Sequence, residues 1–319
     1  MVTAAEAPSA AARGRRPRAA SLVYPVAVVV LAVVLWAAYG PAEVGYDGRF
    51  SLVWGQELSH LQSPDYGAQL SPTSHPLANL FGLVASLFGR SGPGVLAAFT
   101  FVALSGVGVA AFAVGRRSFG TVTGLAFALI LLTRPLFVGE ALDSSIDIPF
   151  LAFVLMAVAL ELGRPRRGAP VLGALALAGL LRPEAWLLSL AYLAYLIAPR
   201  PRAVSVRLCA LALAAPLIWC AFDLVTTGAP LNSLTTTQDL AGTLQRERGV
   251  LSAFSDTPVN LQAILGSEIA WAGLAVCAVA LLLAQQRALV PFGALVTGLL
   301  GFIALGVANL PLLTRYLIV

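Results

Sequence analysis

Apolar residues run along this chain in long blocks, broken by short polar segments in which arginine recurs. Taking runs of at least ~17 apolar residues as bilayer-crossing helices, and shorter runs where arginines bound them, the pattern predicts nine helices. They lie at roughly 22–39, 94–114, 119–133, 148–162, 170–182, 185–198, 206–225, 262–284 and 289–308. The predicted fold class is all-α: a polytopic transmembrane bundle of about nine spans with amphipathic juxtamembrane helices in its first extracytoplasmic loop.

Between the blocks, the pattern predicts a long loop over 40–93, a short one over 134–147 and a second long one over 226–261. Within the first, Phe50, Leu52, Val53, Trp54, Leu58 and Leu61 recur at helical spacing with Gln56, Glu57 and His60 between them. That spacing predicts a helix lying on the bilayer face. The stretch from His75 to Gly89 is apolar but short for a crossing, so a juxtamembrane or re-entrant helix is expected there.

Composition agrees with the pattern. Of 319 residues, 59% are hydrophobic and only 11% charged, and the mean hydropathy is +0.86, outside the range of an ordinary soluble domain. The net charge of +5 rests on 20 basic residues, all of them arginine. These lie in clusters at Arg13–Arg18, Arg116–Arg117, Arg164–Arg167, Arg200–Arg207 and Arg287, all cytoplasmic if the first helix starts inside. Such scattered clusters point to topology, not to a basic face for nucleic acid. Cys209, Cys220 and Cys277 all fall in apolar runs and give neither a disulfide framework nor a metal spacing. Residues 1–20 read as a disordered cytoplasmic tail, and 21–319 as one transmembrane domain that continues beyond residue 319, where an apolar run has just begun. An aromatic belt accounts for the tryptophans near span ends, among them Trp219.

Against this background the few acids stand out. Asp47 follows the first span in Gly45-Tyr46-Asp47-Gly48-Arg49-Phe50, and His75-Pro76-Leu77 follows in the same loop. Asp143 and Asp147 precede the fourth span in Asp143-Ser144-Ser145-Ile146-Asp147-Ile148-Pro149-Phe150, and Leu180-Leu181-Arg182-Pro183-Glu184-Ala185 links the fifth to the sixth. Helix capping and a tight ion-paired turn are the plain readings of these residues.

Their order along the chain resembles the GT-C superfamily of polytopic glycosyltransferases, which includes the protein O-mannosyltransferases, the lipid A aminoarabinose transferases and the actinobacterial arabinosyl- and mannosyltransferases. The resemblance covers about residues 20–225; here Gly48 follows the first acid where many members carry a second. It implies a membrane glycosyltransferase on the outer face of a bacterial cytoplasmic membrane. A polyprenyl-phosphate sugar would be the donor and a cell-wall glycan, a lipid or a protein the acceptor. Asp47 would be the catalytic base, because a phosphate leaves readily while the acceptor hydroxyl needs deprotonation. One in-line displacement without a covalent intermediate inverts the anomeric centre. His75, Asp143, Asp147 and Glu184 would serve substrate binding, and Arg134, Arg182 and Arg315, all expected on the outer side, would meet the phosphate. A divalent cation, Mg or Mn, held by Asp47 and Asp147 is left open. Two rivals from other classes are a transporter or flippase of a lipid-linked intermediate, and a non-catalytic membrane scaffold.

Overall fold

The computed structural model describes residues 18–68, 70–198, 205–283 and 285–317. Residues 1–17 of the expected tail and most of the Arg200–Arg207 cluster lie outside them, while the last three residues of that tail, from Arg18, are not disordered but open the first helix. Among the described residues all regular structure is helical. Helices lie over the stretches expected as spans: α1 (Arg18–Tyr39), α4 (Gly92–Phe119), α5 (Thr121–Thr133), α7 (Asp147–Gly163), α8 (Ala169–Gly179), α9 (Glu184–Ile197), α10 (Val206–Thr227), α13 (Ser267–Leu283) and α14 (Gln285–Val307). Between them lie α2 (Tyr46–Ser59), α3 (Pro76–Ser86), α6 (Pro135–Leu142), α11 (Asn232–Thr243) and α12 (Val250–Leu265). The last described element is a 3-10 turn over Thr314–Leu317.

Length and composition let α1, α4, α10 and α14 cross a bilayer, and the number rises to six if each of two bent pairs is one span. The bent pairs differ from the expected straight runs. Helix α5 continues into α6 through a 54° bend at Arg134-Pro135, where proline cannot donate to the ladder. Helix α12 meets α13 at 111°, and Gly266 supplies the positive φ of 82° that this corner needs. Helices α8 and α9, with 11 and 14 residues, are shorter than a straight crossing. The segment 226–261, expected as a long loop, is mostly α11 and α12.

Helix α4 is the central post, packing against α1, α5 and α7, with α2 and α3 at one end. Its buried face joins Phe101, Leu104 and Val107 to Leu131, Phe137, Ile148, Leu151 and Phe302 in the main core. A second cluster centres on Phe150, Val171, Leu175 and Leu181 of α7, α8 and the turn after it. Exposed Arg116, Arg117, Arg164, Arg166 and Arg167 gather where α4 ends and α7 turns back, at the opposite end of α7 from Asp147.

Helix α2 is amphipathic as expected, but small residues make its packing face. Gly48, Ser51, Trp54 and Gly55 are buried, while Val53 and Leu61 stay exposed. At the crossing with α3 the two backbones touch: a Cβ on Gly55 would sit 2.2 Å from the carbonyl carbon of Gly82, and one on Gly82 would sit 1.8 Å from the Ser51 carbonyl oxygen. Glycine is therefore required on both sides of this contact. Gly82→Ala should lower stability by about 1–3 kcal/mol through overpacking and shift α2 with its Asp47. Thermal unfolding of the purified variant in detergent against wild type checks this, and an unchanged midpoint would contradict it.

Candidate active site

Four helices begin at one cavity. Gly45 precedes α2 and donates its N–H to the Asp143 carbonyl at 2.8 Å, which sets Asp47 in the first turn. His75 precedes α3, whose first residue is Pro76, a residue suited to that position because its missing N–H has no helical partner there. Asp147 opens α7, exchanging hydrogen bonds with Ser145: its backbone N–H donates to Ser145 Oγ at 3.2 Å, and that hydroxyl donates to Asp147 Oδ2 at 3.1 Å. Pro183 precedes α9, which opens on Glu184. Each helix start carries partial positive charge, equivalent to roughly half a unit, which favours carboxylates there.

The cavity, of about 50 Å3, is lined by Asp47, His75, Asp147, Arg182, Glu184 and Arg315, together with Thr73, Trp219, Thr237 and Tyr316. Arg182, 3% exposed, is its fixed cation. One of its nitrogens meets Asp147 Oδ1 at 2.5 Å and the other Glu184 Oε1 at 2.6 Å. Its guanidinium also lies 4.0 Å from the centre of the Tyr316 ring. Burial by itself lowers the pKa of Arg182, but Glu184 and Asp147 outweigh it and hold the group above its ordinary value. Arg315 is the freer cation, 30% exposed at its side chain. It donates to Asp47 Oδ2 at 3.1 Å and lies 3.5 Å from Asp147 Oδ2 and 4.0 Å from Glu140 Oε2. Two guanidiniums thus face four carboxylates, and the converging helix starts supply part of the missing positive charge.

The cavity is also short of hydrogen bonds. Buried side-chain atoms without a partner among the described residues include His75 Nδ1, Glu184 Oε2, Trp219 Nε1 and Arg315 Nε, all belonging to residues that line it. Buried polar atoms are rarely left unpaired, so these four gather hydrogen-bonding capacity around one small space. The site joins both ends of the chain through the second long segment. Thr314 Oγ1 donates to Asn260 Oδ1 of α12 at 2.8 Å, holding the turn that carries Arg315. Asp223, buried near the end of α10, accepts from the Ser233 N–H at 2.8 Å and its hydroxyl at 2.6 Å, fixing the start of α11. Thr237 of α11 then meets Thr73 at 2.5 Å.

Two expected site residues lie elsewhere. The Asp143 side chain is exposed and outside the cavity lining; its backbone carbonyl does the positioning described above. Arg134 sits at the α5–α6 bend beside Gly266 and does not line the cavity. Three contributors escaped the sequence reading. Glu140, a single acid in the apolar Pro135–Leu142 stretch, carried a signal that could have found it. Tyr316 and Thr237 carried none. Trp219 is not part of an aromatic belt: it is 1% exposed, wedged edge-on between His75 at 5.4 Å and Trp186 at 5.8 Å. As for a cation, no three His, Cys, Asp or Glu side chains among the described residues gather at metal-holding geometry. Asp47 and Asp147 are instead bridged by Arg315.

Residues 75–225 match the family model described as dolichyl-phosphate-mannose-protein mannosyltransferase. The match supports a GT-C, mannosyltransferase-like membrane glycosyltransferase. It begins on His75 and takes in Asp147, Arg182, Glu184 and Trp219. Together with the helices long and apolar enough to cross a membrane, it supports a multi-pass membrane glycosyltransferase that uses a polyprenyl-phosphate-linked sugar. No curated protein and no solved structure matches the chain.

Arg182 balances two buried carboxylates, so its loss leaves both uncompensated. Arg182→Met should destabilise the protein by about 3–5 kcal/mol, read as a fall in the unfolding midpoint. An unchanged midpoint would show the brace to be dispensable.

His75 makes stability depend on pH. Burial first, then the charges of Arg182 and Arg315, lower its imidazole from 6.5 to about 3. A histidine held neutral in the fold stabilises fully above its unfolded value, and that stability is lost as pH falls from about 6.5 towards 3. His75→Asn should therefore flatten the fall in unfolding midpoint across this window, and a parallel fall in both proteins would refute the assignment.

Proposed function

We propose that the protein transfers a sugar from a polyprenyl-phosphate donor to an acceptor hydroxyl on the extracytoplasmic face of a bacterial cytoplasmic membrane, inverting the anomeric centre, with Asp47 as general base. The observation that carries this reading is the placement of Asp47 opposite Arg315 in one cavity, with the Arg182 brace behind them. Acceptor classes that fit are a cell-wall glycan, a lipid or a protein.

In the resting arrangement Arg315 covers Asp47 Oδ2, while Asp47 Oδ1 makes no hydrogen bond among the described residues. The space of about 50 Å3 holds roughly three to five waters, less than a sugar ring needs. Donor entry therefore requires the Arg315 turn to move. A donor phosphate is the natural new partner for Arg315, since Arg182 is already engaged by two carboxylates. Once Arg315 turns to the phosphate, Asp47 is uncovered. The acceptor oxygen then forms its bond to the anomeric carbon as the bond from that carbon to the phosphate oxygen breaks. Polyprenyl phosphate departs with the electron pair, and Asp47 takes the acceptor's proton. No protonation of the leaving group is needed, so one base suffices.

The unpaired Trp219 N–H, His75 Nδ1 and Glu184 Oε2 combine donor and acceptor capacity, which suits sugar hydroxyls. Residues placed at helix starts, not at mid-membrane breaks between repeated halves, favour this reading over transport. With the arginine-rich end of α4 and α7 in the cytoplasm, the cavity faces outward.

Asp47→Asn keeps the shape of the side chain and removes the base. Transfer of radiolabelled sugar from polyprenyl-phosphate donors to membrane acceptors should drop ~10²- to 10⁴-fold at matched protein levels. Equal transfer by both proteins would remove Asp47 from the mechanism.

A further inference from the structure

The charges around the two guanidiniums do not balance. Asp47, Glu140, Asp147 and Glu184 are four carboxylates, and Arg182 and Arg315 are the cations that reach them among the described residues. With His75 held neutral by burial, the ionised cluster carries two negative charges in excess. A sugar linked through a phosphodiester brings a third. Charges that lack partners in a buried place are neutralised by protonation in preference to being kept, so the setting of each carboxyl decides which one yields.

Three of the four are well placed as anions. Asp47, Asp147 and Glu184 each stand in the first turn of a helix, at its positive end. Asp147 and Glu184 also meet Arg182 at 2.5 and 2.6 Å, and Asp47 meets Arg315 at 3.1 Å. Glu140 has neither kind of support. It stands in the last turn of α6, at the negative end of the helix dipole. Its side chain is 15% exposed, and the one cation that reaches it among the described residues is Arg315, 4.0 Å from Oε2. The other charged groups close to it are the carboxylates of Asp143 and Asp147. No neighbouring helix makes up the deficit. Helix α4, which packs against α6, has Arg116 and Arg117 as its only ionisable side chains, both at the far end. Helix α5 has none, Arg134 at the bend lies beside Gly266, and Glu161 of α7 stands at the arginine-rich end.

The single contact that Glu140 makes with a cation is the one that donor entry removes. Arg315 turns to the phosphate, and Asp47 must stay ionised to act as base. We propose that Glu140 is a positioning residue that exchanges its share of Arg315 for a proton when the donor phosphate binds. The proton comes from water, the carboxylate becomes a carboxyl, and no bond to the substrate forms there. A neutral Glu140 releases Arg315 and removes one of the negative charges that would repel the phosphate. Donor affinity then depends on pH through a residue that takes no part in the transfer step. This assignment rests on the donor reading above, but it is tested without any sugar transfer.

The probe is a short-chain prenyl methyl phosphodiester, which keeps a single negative charge across the working range, so its own titration does not enter. Its binding to the full chain in nanodiscs would be followed by isothermal titration calorimetry from about pH 5.5 to about pH 8.5. In the wild type, Kd should fall by up to about tenfold for each unit that the pH is lowered, because the bound state holds one more proton than the free state. Titration in two buffers of different ionisation enthalpy should show that proton being taken up. Glu140→Gln keeps the shape of the neutral carboxyl. It should bind about tenfold more tightly than wild type near pH 8, with a flat profile and no proton uptake. Affinity independent of pH in the wild type, uptake retained in Glu140→Gln, or weaker binding by that variant would each overturn the proposal and leave the transfer reaction standing. If Glu140→Gln fails to fold, Glu140→Ala removes the same titrating group and takes its place in the comparison. No binding by either protein at any pH would reject the donor site itself, and the proposal with it.

Discussion

The buried guanidinium of Arg182 holds the site together. It lies in the turn between α8 and α9, reaches Asp147 at the start of α7 and Glu184 at the start of α9, and presents its face to Tyr316 from the far end of the chain. Three separate parts of the sequence are tied to one charge. In so buried a place neither carboxylate is tolerated without the cation, nor the cation without them. The turn is itself docked, since the Leu180 carbonyl accepts from the Leu77 N–H at the start of α3. The brace thus fixes the geometry within which Arg315, only partly buried, remains free to exchange partners.

This division between a fixed and a less buried arginine suits the proposed transfer, in which the site opens to take up its donor. Arg182 is engaged by Asp147 and Glu184, whereas Arg315 bridges Asp47 and Asp147 from a short turn held by a side-chain contact to α12. Close backbone contact between α2 and α3 through Gly55 and Gly82 keeps the Asp47 helix rigidly placed. In the proposed reaction the Arg315 turn is then the part that moves, while Asp47, the proposed base, keeps its place.

Much of this was legible in the sequence because a bilayer imposes strong rules. Apolar blocks must form helices when no water is present to pair with the backbone, and nine such blocks did so. Acids at the edges of those blocks are costly unless used, which singled out Asp47, Asp147 and Glu184. The segment 226–261 was harder to read, because its threonines and serines look like a solvated loop. The first of its helices, α11, is held by tertiary hydrogen bonds to Asp223, Thr73 and Ser74 that no local pattern reveals. Trp219 failed for a similar reason. A tryptophan near a helix end reads as interfacial, but the convergence of α3, α9 and α10 buries this one beside His75.

By itself, then, the sequence determined the helical class, the run of apolar blocks and a short list of ionisable candidates, since these follow from periodicity, hydropathy and the cost of charge in a membrane. Only the tertiary structure decided which candidates share a site. Asp143 and Asp147 stand four residues apart and look equivalent in sequence, yet one is exposed and the other is 2% exposed against Arg182. Arg134 and Arg315 were likewise indistinguishable as outward-facing cations, yet only Arg315 reaches Asp47, from 268 positions along the chain. Pairing across such separations depends on how helices pack in three dimensions, and hydropathy along one dimension carries no record of it.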